Sequence, residues 1–293
     1  MTADFLVTGA TGFTGYFVCR ELFYRGINFD CLVRRDSKVD HLISNFKANC
    51  VIGDLNDYNS LESIFFQYST LINVASIGFG AAPIIVQACE ASGLNRAIFV
   101  STTAIFTKLN AKSKAVRLAA EKAIQTSQLD YTILRPTMIY GTPDDRNMVR
   151  LLRLIKASPI VPVFGNGRSL QQPVHVEDVA WAIVTAAISP QTHRKAYNLS
   201  GGEVLDYNQV ISLGGQALRK RPLLLHIPKR LSISGLKLTE RLKIKMPVKV
   251  EQVERLNEDK VFDYTLAKTD FGYSPRTFTE GIRQEALLLK NRN

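Results

Sequence analysis

The sequence contains no long apolar run, and this absence excludes a membrane-spanning helix. No stretch of about 18 consecutive apolar residues occurs among the 293 residues of the chain. The N-terminal segment, MTADFLVTGA, places no basic stretch ahead of an apolar core, so the sequence predicts no signal peptide. Both absences favour a cytoplasmic protein.

Cysteine is also scarce. The four cysteines are far apart, and neither a CxxC pair nor a His–Cys cluster occurs among Cys19, Cys31, Cys50 and Cys89. This pattern predicts reduced, mostly buried thiols, and it predicts neither a disulfide framework nor a metal site.

Acidic residues are nearly missing from one window. Between Arg219 and Lys249, ten Lys or Arg residues stand against the single acid Glu240, so this window holds most of the formal charge of +11. Within it, residues 228–250 mix apolar and basic positions. This segment has three interpretations: a solvated face, a basic lid over an anionic substrate, or an amphipathic patch that rests on anionic lipid head groups. A nucleic-acid surface is disfavoured, because no aromatic residues stand between the charges.

What the chain does contain is an alternation of strand-like and helix-like segments. Short apolar runs rich in β-branched residues recur through residues 1–135, with helical patterns such as 13–24, 82–91 and 112–126 between them. Continuous apolar strands that alternate with helices indicate a parallel sheet covered on both faces. The sequence therefore predicts an α/β fold, a doubly wound parallel sheet of the Rossmann type.

After Tyr140 the alternation becomes less regular, and a Pro- and Gly-rich segment follows at 159–168. We predict a Rossmann domain over residues 1–165. A smaller C-terminal substrate domain of mixed α/β structure would cover residues 166–293, with some of its elements returning to the sheet.

The turn TGATGFTG (8–15) lies between the first strand and the first helix, and Gly9, Gly12 and Gly15 give it the spacing G-x-x-G-x-x-G. The first glycine permits a tight turn, the second lets the backbone approach a pyrophosphate, and the third lets the helix pack close to the sheet. Amide groups at the helix start would hold the phosphates. The turn therefore predicts a dinucleotide site that includes Thr11, Phe13 and Thr14. The alternative is that the glycines only make a tight turn.

This turn resembles the nucleotide-binding signature of the extended and atypical short-chain dehydrogenase/reductase superfamily, which holds nucleotide-sugar epimerases and dehydratases. Segments that resemble its other motifs follow in order along the chain: GDLND (53–57), NVAS (73–76), STT (101–103), LRPTMIYG (134–141), VHVEDVAWAI (174–183), YNLSG (197–201) and DFGYSPRTFTEGI (270–282). The resemblance implies that Asp54 meets the adenine amino group and that Ala75 lies beside the cofactor ribose. Leu55 and Pro136 complete the predicted cofactor-binding set.

The end of the second strand, CLVRRDSK (31–38), bears on which nicotinamide cofactor is bound. NAD-preferring members carry an acid there, whereas this chain has Val33 followed by Arg34. The planar guanidinium of Arg34 can pair with a 2′-phosphate. The alternatives are that Asp36 serves as the ribose acid, or that these charges are simply solvated. We predict NADP(H), with NAD(H) as the second choice.

The catalytic pair of the superfamily is missing. The resemblance implies a Tyr and, four residues later, a Lys on one face of the helix after the fifth strand, together with a Ser or Thr at the strand end. In this chain no Tyr occurs between residues 68 and 131. Counting back from Glu121, which matches a Glu that often follows the Lys, places Ser113 and Arg117 at the two positions. A shifted register, with Asn110 and Lys114, does not restore the pair.

These replacements change the expected chemistry. The hydroxyl of Ser113 has a pKa too far from neutral to exchange a proton as the Tyr does. Arg117 can bind a ribose or a phosphate, but it cannot tune a partner by losing its proton. Thr102 at the strand end is either a ligand of a substrate oxygen or a structural residue. The candidate catalytic residues are thus the strand-end hydroxyl and the two residues at the positions of the Tyr–Lys pair: Thr102, Ser113 and Arg117.

Three further residues have weaker signals. Tyr140 is interpreted as core rather than as a wall of the nicotinamide pocket, and His175 as a residue that orders the segment before its helix. Arg168 follows a Gly-rich turn and is a candidate ligand for an anion.

The sequence as a whole predicts an NAD(P)(H)-dependent oxidoreductase or epimerase-like enzyme that uses a nonstandard or water-supplied proton. Its substrate would be a small anionic metabolite, with a nucleotide sugar as the first choice. The alternative is a catalytically reduced NADP(H)-binding sensor, assembly factor or RNA-associated protein. A homodimer and peripheral membrane contact through 228–250 are left open.

Overall fold

The structure, a computed structural model, describes residues 3–109, 112–241 and 249–292. Its strands are β1 (Phe5–Thr8), β2 (Phe29–Val33), β3 (Asn49–Ile52), β4 (Thr70–Asn73), β5 (Arg96–Val100), β6 (Asp130–Pro136), β7 (Ile139–Tyr140), β8 (Ile160–Phe164), β9 (Leu170–Gln171), β10 (Val174–His175), β11 (Lys195–Leu199), β12 (Leu205–Asp206) and β13 (Leu223–Ile227). Its helices are α1 (Phe13–Tyr24), α2 (Asp40–Phe46), α3 (Tyr58–Phe65), α4 (Ala82–Ser92), α5 (Lys112–Gln125), α6 (Met148–Ala157), α7 (Val176–Ile188), α8 (Tyr207–Ala217), α9 (Lys229–Arg241), α10 (Val250–Leu256), α11 (Thr265–Phe271) and α12 (Phe278–Asn291).

Seven parallel strands form the main sheet in the order β11–β6–β5–β4–β1–β2–β3. The chain runs outward from β1 to β3, returns to β4 beside β1, and then runs outward in the other direction. This order is that of a doubly wound Rossmann fold, and it confirms the predicted fold class. The carboxyl ends of β1 and β4 meet at the point where the strand order reverses, which is where such folds bind their ligands.

The central strands of the sheet are mostly apolar and buried because helices cover both faces of the sheet. Alternate residues point to opposite layers: Val7 and Ile72 belong to the layer that contains α1 and α7, whereas Leu6 and Leu71 belong to the layer of α3, α4 and α5. Strands buried on both faces have no polar alternation, as a parallel sheet requires.

A second hydrophobic core lies between α6, α8, α12 and β8, with Leu152, Ile211 and Ile282 among its buried side chains. β8 pairs in parallel with β13. Two elements from the second half of the sequence belong to the main sheet instead: β11 pairs with β6, and α7 packs on α1. The predicted division at residue 165 stays a prediction, and α6 and β8, which precede it, pack in the second core.

Charged side chains join the two parts. Glu177, in the first turn of α7, accepts from Arg20 of α1 at 2.6 Å and from Arg276 at 2.8 Å. The Arg276 guanidinium also pairs with Asp178 at 2.9 Å, and its backbone N–H donates to the same carboxylate. Arg276, just before α12, is thus bonded to the first turn of α7, the helix that packs on the main sheet.

No helix in the ranges that the structure describes is long and apolar enough to cross a membrane. The basic window 219–249 is only partly described, since residues 242–248 lie outside these ranges. Asn110, the Tyr position of the shifted register, lies outside them as well.

Candidate functional site

The glycine turn closes against the end of β4. Gly9 has a φ of +69°, and a Cβ built on it would stand 2.6 Å from the backbone N of Ala75. A Cβ on Gly15 would overlap the carbonyl oxygen of Gly9. Only glycine fits either place, because Gly9 makes a tight turn against the chain after β4 and Gly15 lets α1 begin close against the turn itself. The turn leaves no room for side chains between β1, α1 and the chain after β4.

The start of α1 offers free amide groups to an anion. Gly12 is the N-cap residue without a side-chain cap, and the first helical bond runs from the N–H of Tyr16 to the carbonyl of Gly12 at 3.0 Å. The amides of Phe13, Thr14 and Gly15 therefore precede the helical ladder. The side chain of Thr11 is exposed at the turn. This cradle fits a pyrophosphate, because the amides and the helix dipole both favour negative charge.

A hydrogen-bond network holds the ends of β1 and β4 in register. The Thr8 hydroxyl donates to the side-chain oxygen of Asn73 at 2.7 Å, and the Asn73 amide donates to the carbonyl of Ala75 at 3.0 Å. Asn73 is fully buried. The network fixes the segment that carries Ala75, the residue predicted beside the ribose.

On the far side of β1, the residues predicted to contact the adenosine lie at the ends of β2 and β3. Arg34 follows β2 and is exposed, as are Arg35 and Asp36, while Val33 is buried. Asp54 follows β3 and is exposed, and its carboxylate accepts from the backbone and the side chain of Asn56. Leu55 beside it is half-buried. Arg34 and Asp54 thus flank one end of the cradle from neighbouring strands.

Hydroxyl groups mark the end of β5. Thr102 is half-buried, and its hydroxyl oxygen accepts from the N–H of Ala104 at 3.2 Å, which leaves the hydroxyl proton free to donate. Thr103 is buried and donates to the carbonyl of Pro136, at the end of β6. Pro136 itself is buried. Thr102 can therefore donate to a bound oxygen, whereas Thr103 links two strands.

A buried network fixes the position of α5. Glu121, which is 3% exposed, accepts from the Ser101 hydroxyl at 2.5 Å and from the Arg135 guanidinium at 2.5 Å. Glu121 thereby ties α5 to the ends of β5 and β6. Ser113 and Arg117 precede it by eight and four residues, and this spacing places all three on one face of the helix.

The positions of the superfamily's Tyr–Lys pair, here called the dyad positions, hold Ser113 and Arg117 and lie at the carboxyl edge of the sheet. Ser113 is half-buried. The guanidinium of Arg117 lies over Gly78, just after β4, because a Cβ on Gly78 would stand 3.1 Å from its Nε. Burial and the nearby Arg255 lower the pKa of Arg117 from its usual value. Arg117 thus faces the chain that leaves β4, the side of the site where the ribose is predicted.

Lys114 does not take over the place of the missing lysine. Its ammonium donates to the carbonyl of Thr107 at 2.5 Å, in the loop between β5 and α5.

Tyr140 and His175 have structural roles. Tyr140 is fully buried, and its ring meets the His175 ring edge-on at a centroid distance of 5.4 Å. The His175 Nδ1 accepts from the N–H of Glu177 at the start of α7. Burial, followed by the charge of Arg276, lowers the pKa of His175 to about 4. Arg168, the anion candidate, is exposed on the turn after β8.

A segment near the C-terminus, which no sequence pattern predicted to be close to the site, packs on the chain after β5. Glu258 accepts from the Thr107 hydroxyl at 2.7 Å and from the N–H of Lys108 at 2.6 Å, and the Phe262 ring lies 5.4 Å from that of Phe106. The segment 258–262 therefore packs on residues 106–108, in the chain that follows β5. No motif marks it, since the contact joins positions about 150 residues apart.

Within the described residues, no group of three or more His, Cys, Asp or Glu side chains could hold a metal ion. The four cysteines are free thiols. Cys19, Cys31 and Cys89 are buried and Cys50 is half-buried.

Comparison with known proteins agrees with this geometry. The sequence model of the family described as NAD(P)H-binding matches residues 9–190, which is more than half of the chain. The matched region begins at the glycine turn and ends just after α7, so it contains the cradle and the dyad positions.

Several characterised proteins are similar in sequence. The ceramide reductase of Caulobacter vibrioides is 31% identical over 196 residues, which cover 63% of this chain and 61% of that protein. Subunit 9 of the NADH dehydrogenase (ubiquinone) 1 alpha subcomplex of Arabidopsis thaliana is 25% identical over 240 residues, which cover 76% of this chain and 60% of the relative. The chain thus spans about three fifths of the length of these two relatives. The UDP-glucose 4-epimerase of Vibrio cholerae is 23% identical over 334 residues, covering 98% of this chain and 95% of the epimerase.

Solved structures share the fold over nearly the full chain. MoeE5 in complex with UDP-glucose and NAD superposes with a TM-score of 0.76 at 21% identity, covering 99% of both chains. The UDP-glucose 4-epimerase of Thermus thermophilus in complex with NAD gives a TM-score of 0.74 at 20% identity, also covering 99% of both chains. The chain therefore belongs to the NAD(P)H-binding family, and its fold is that of the epimerase/dehydratase-type short-chain dehydrogenases/reductases.

Proposed function

We propose that the protein is an NADP(H)-dependent oxidoreductase that works without the Tyr–Lys pair. The observation that carries the proposal is the cradle at the carboxyl ends of β1 and β4, where Gly9 and Gly15 allow the turn, the start of α1 and the chain after β4 to approach one another closely. The free amides at the start of α1 point to the pyrophosphate, and the Thr8–Asn73 network supports the adjoining ribose segment. When bound, the cofactor supplies or accepts the hydride.

The preference for NADP(H) rests on the end of β2. Arg34 and Arg35 are exposed there, and Val33, at the place of the usual ribose acid, is buried. The N–H of Ser37 donates to the carbonyl of Arg34, so the chain turns directly after the strand. An exposed guanidinium at this point can bind a 2′-phosphate through two parallel hydrogen bonds. Asp36, the alternative ribose acid, stands two residues beyond Arg34 in the same turn.

The dyad positions take different roles in this proposal. Arg117, over the chain that leaves β4, holds the nicotinamide ribose or a neighbouring phosphate as a permanent cation. Thr102 donates its free hydroxyl proton to the substrate oxygen and so orients it. Ser113 supplies no acid or base, and the proton that accompanies hydride transfer comes from water. This arrangement binds and orients the reactants, which contributes to catalysis even without a tuned phenol.

For the substrate, we retain a small anionic metabolite, with a nucleotide sugar as the first choice. The support is the epimerase relative, which matches over nearly its whole length, and the exposed Arg168 on the turn after β8. The ceramide reductase relative adds a second class of substrate, a carbonyl on a lipid, and that class belongs in the same assay.

A second candidate function is a catalytically reduced NADP(H)-binding protein that acts as a sensor or an assembly factor. Ser113 and Arg117 at the dyad positions favour it, because neither residue exchanges a proton near neutral pH. The similarity to a subunit of the NADH dehydrogenase of Arabidopsis thaliana agrees with such a role.

The test is a fluorescence titration of the full chain with NADPH and with NADH. We expect Arg34→Ala to weaken NADPH binding by about tenfold to a hundredfold, because a charge-assisted bond is lost, and to leave NADH binding nearly unchanged. Arg117→Ala should weaken both cofactors, since it acts at the ribose side. Lys47→Ala, another exposed cation, is the matched control.

Equal losses for both cofactors in Arg34→Ala would contradict the NADP(H) preference, and unchanged affinities in Arg117→Ala would remove the role given to that residue. The wild-type protein with bound NADPH is then assayed for turnover of 4-keto nucleotide sugars and keto lipids. Absence of turnover with intact NADPH binding would contradict the enzyme and favour the second candidate.

A further inference from the structure

Within the part of the chain that the structure describes, one apolar face of the small sheet formed by β8 and β13 is largely exposed. The strands are parallel and in register, with Leu223 opposite Ile160, Leu225 opposite Pro162 and Ile227 opposite Phe164. Paired residues of a sheet share a face, so these six residues form one side, which we call the β8–β13 face. Leu223 is 68% exposed, Leu225 54% and Ile160 46%. On the opposite side, Val161 and Val163 are buried in the second core.

Helix α9 adds one more exposed apolar side chain close to β13 in the sequence. Only Pro228 separates the helix from the strand, and the Ser232 hydroxyl donates to the carbonyl of Ile227. Ser232 and Leu236 are buried, and they define the side of the helix that packs on the protein. Leu231 does not lie on that buried side of the helix, and it is 67% exposed. Several exposed apolar side chains on β8, on β13 and at the start of α9 are typical of an interaction surface, whereas single ones are ordinary on a protein surface.

Basic residues stand at both ends of β13. Lys220 and Arg221 precede the strand, and Lys229 and Arg230 follow it, all four being exposed. The sequence 207–239 contains no Asp or Glu. The face is therefore bordered by positive charge, and no acidic side chain of this segment compensates it.

We propose that the β8–β13 face and the start of α9 dock on an anionic lipid bilayer. Leu223, Leu225 and Leu231 enter the boundary between head groups and acyl chains, and the lysines and arginines at the ends of β13 meet the lipid phosphates. Apolar side chains with flanking cations are the combination that holds peripheral proteins on anionic membranes.

The charge also argues against a second copy of this chain as the occupant. A two-fold interface places the same patch on both subunits, so the cations at the ends of β13 would face an identical set. The proposal does not depend on the oxidoreductase function, because none of these residues belongs to the cofactor cradle or to the dyad positions.

The test is cosedimentation of the full chain with vesicles of phosphatidylcholine alone and of phosphatidylcholine mixed with phosphatidylserine. We expect binding to the mixed vesicles, much weaker binding to the neutral ones, and a decrease with added salt. Lys229→Gln/Arg230→Gln should lower the partition coefficient about 25-fold, or about fivefold for each cation. Leu223→Ser/Leu225→Ser should lower it at least about tenfold.

Two matched variants control for net charge and for exposed apolar area. Lys47→Gln/Lys122→Gln removes two exposed cations elsewhere, and Phe66→Ser removes a side chain that is 79% exposed on another face. Both should bind vesicles as the wild type does. NADPH titration and thermal unfolding of each variant establish that its fold is intact.

The proposal is overturned if the mixed vesicles do not bind the protein, or if the control variants lose as much binding as the β13 variants. It is also overturned if sedimentation velocity shows a dimer that Leu223→Ser/Leu225→Ser dissociates, since the face would then belong to a second copy.

Discussion

At the scale of single residues, Glu285 is a buried acid whose surroundings favour the protonated carboxyl group. It is fully buried on α12, and its carboxylate oxygen accepts from the N–H of Gly141 at 3.0 Å. Burial, with Asp145 as the second cause, raises the pKa of Glu285 to about 10. Glu285 Oε1 and Asp145 Oδ2 are both buried without a hydrogen-bond partner among the described residues. The pair connects the loop after β7 to the C-terminal helix.

This raised pKa makes the folded state less stable as the pH increases. In the unfolded chain Glu285 ionises near its usual value of 4.5, whereas in the folded chain it stays protonated. The folded state thus binds more protons, and the free energy of unfolding falls by up to about 1.4 kcal/mol per pH unit between the two pKa values. Glu285→Gln removes this dependence and keeps the acceptor for Gly141. We expect the variant to exceed the wild type in stability at pH 8, by more than at pH 5, in urea unfolding.

Glu280 on the same helix provides the control with the opposite sign. Hydrogen bonds from Thr277 lower the pKa of Glu280, so its contribution is present near neutral pH and is lost as the pH falls. Glu280→Gln should therefore give no gain at pH 8. If Glu285→Gln were equally destabilised at both pH values, the raised pKa of Glu285 would be contradicted.

At the scale of elements, α1 is placed by a close backbone contact that α9 lacks at its own glycine. Gly15 lies in the first turn of α1, and its missing side chain lets the helix approach the carbonyl of Gly9. Gly235 lies inside α9, and a Cβ there would meet nothing within 4 Å. The two glycines share a secondary structure and differ only in what surrounds them.

The same substitution should therefore have opposite effects at the two sites. Gly235→Ala should raise the free energy of unfolding by about 0.5–1 kcal/mol, since alanine is the better helix former. Gly15→Ala should lower it by about 1–3 kcal/mol, because the overlap with Gly9 exceeds the gain in propensity, and it should also weaken NADPH binding. Chemical denaturation and cofactor titration measure both effects. A stabilised Gly15→Ala variant would contradict the close packing of α1 on the turn.

At the scale of the whole molecule, Arg276 joins the two hydrophobic cores. Its guanidinium pairs with Asp178, which is 13% exposed, and with Glu177, while its backbone N–H also bonds Asp178. Burial raises the pKa of Asp178 even with this partner in place. The carboxylate therefore depends on Arg276 for its compensation.

Removing this partner should cost far more than removing a surface ion pair. Arg276→Ala should lower the free energy of unfolding by roughly 2–3 kcal/mol, below the range for a fully buried pair because the site is partly solvated. Arg292→Ala breaks an exposed pair with Asp144 and should cost less than about 1 kcal/mol. Urea denaturation of the two variants checks the difference. Equal costs would mean that Arg276 is only a surface charge.

The sequence predicted the main sheet well because local patterns control it. Apolar runs such as Thr70–Asn73 and Arg96–Val100 are buried on both faces, and the helix predicted at 13–24 begins and ends at those residues. The small strand β13 was not predicted, since three of its five residues are exposed and its partner β8 lies about 60 residues away. An exposed apolar run next to basic residues has no periodicity that distinguishes a strand from a loop.

The sequence by itself determined the family, the cofactor turn and the absence of the Tyr–Lys pair, because each depends on residue identity at short spacings along one element. Only the tertiary structure decided which distant side chains meet: Glu258 over the loop after β5, Glu285 against Asp145, and the apolar face of β8 and β13. Such contacts join segments tens to more than a hundred residues apart. Their energies come from burial and from charges brought together, and neither is encoded in a local pattern.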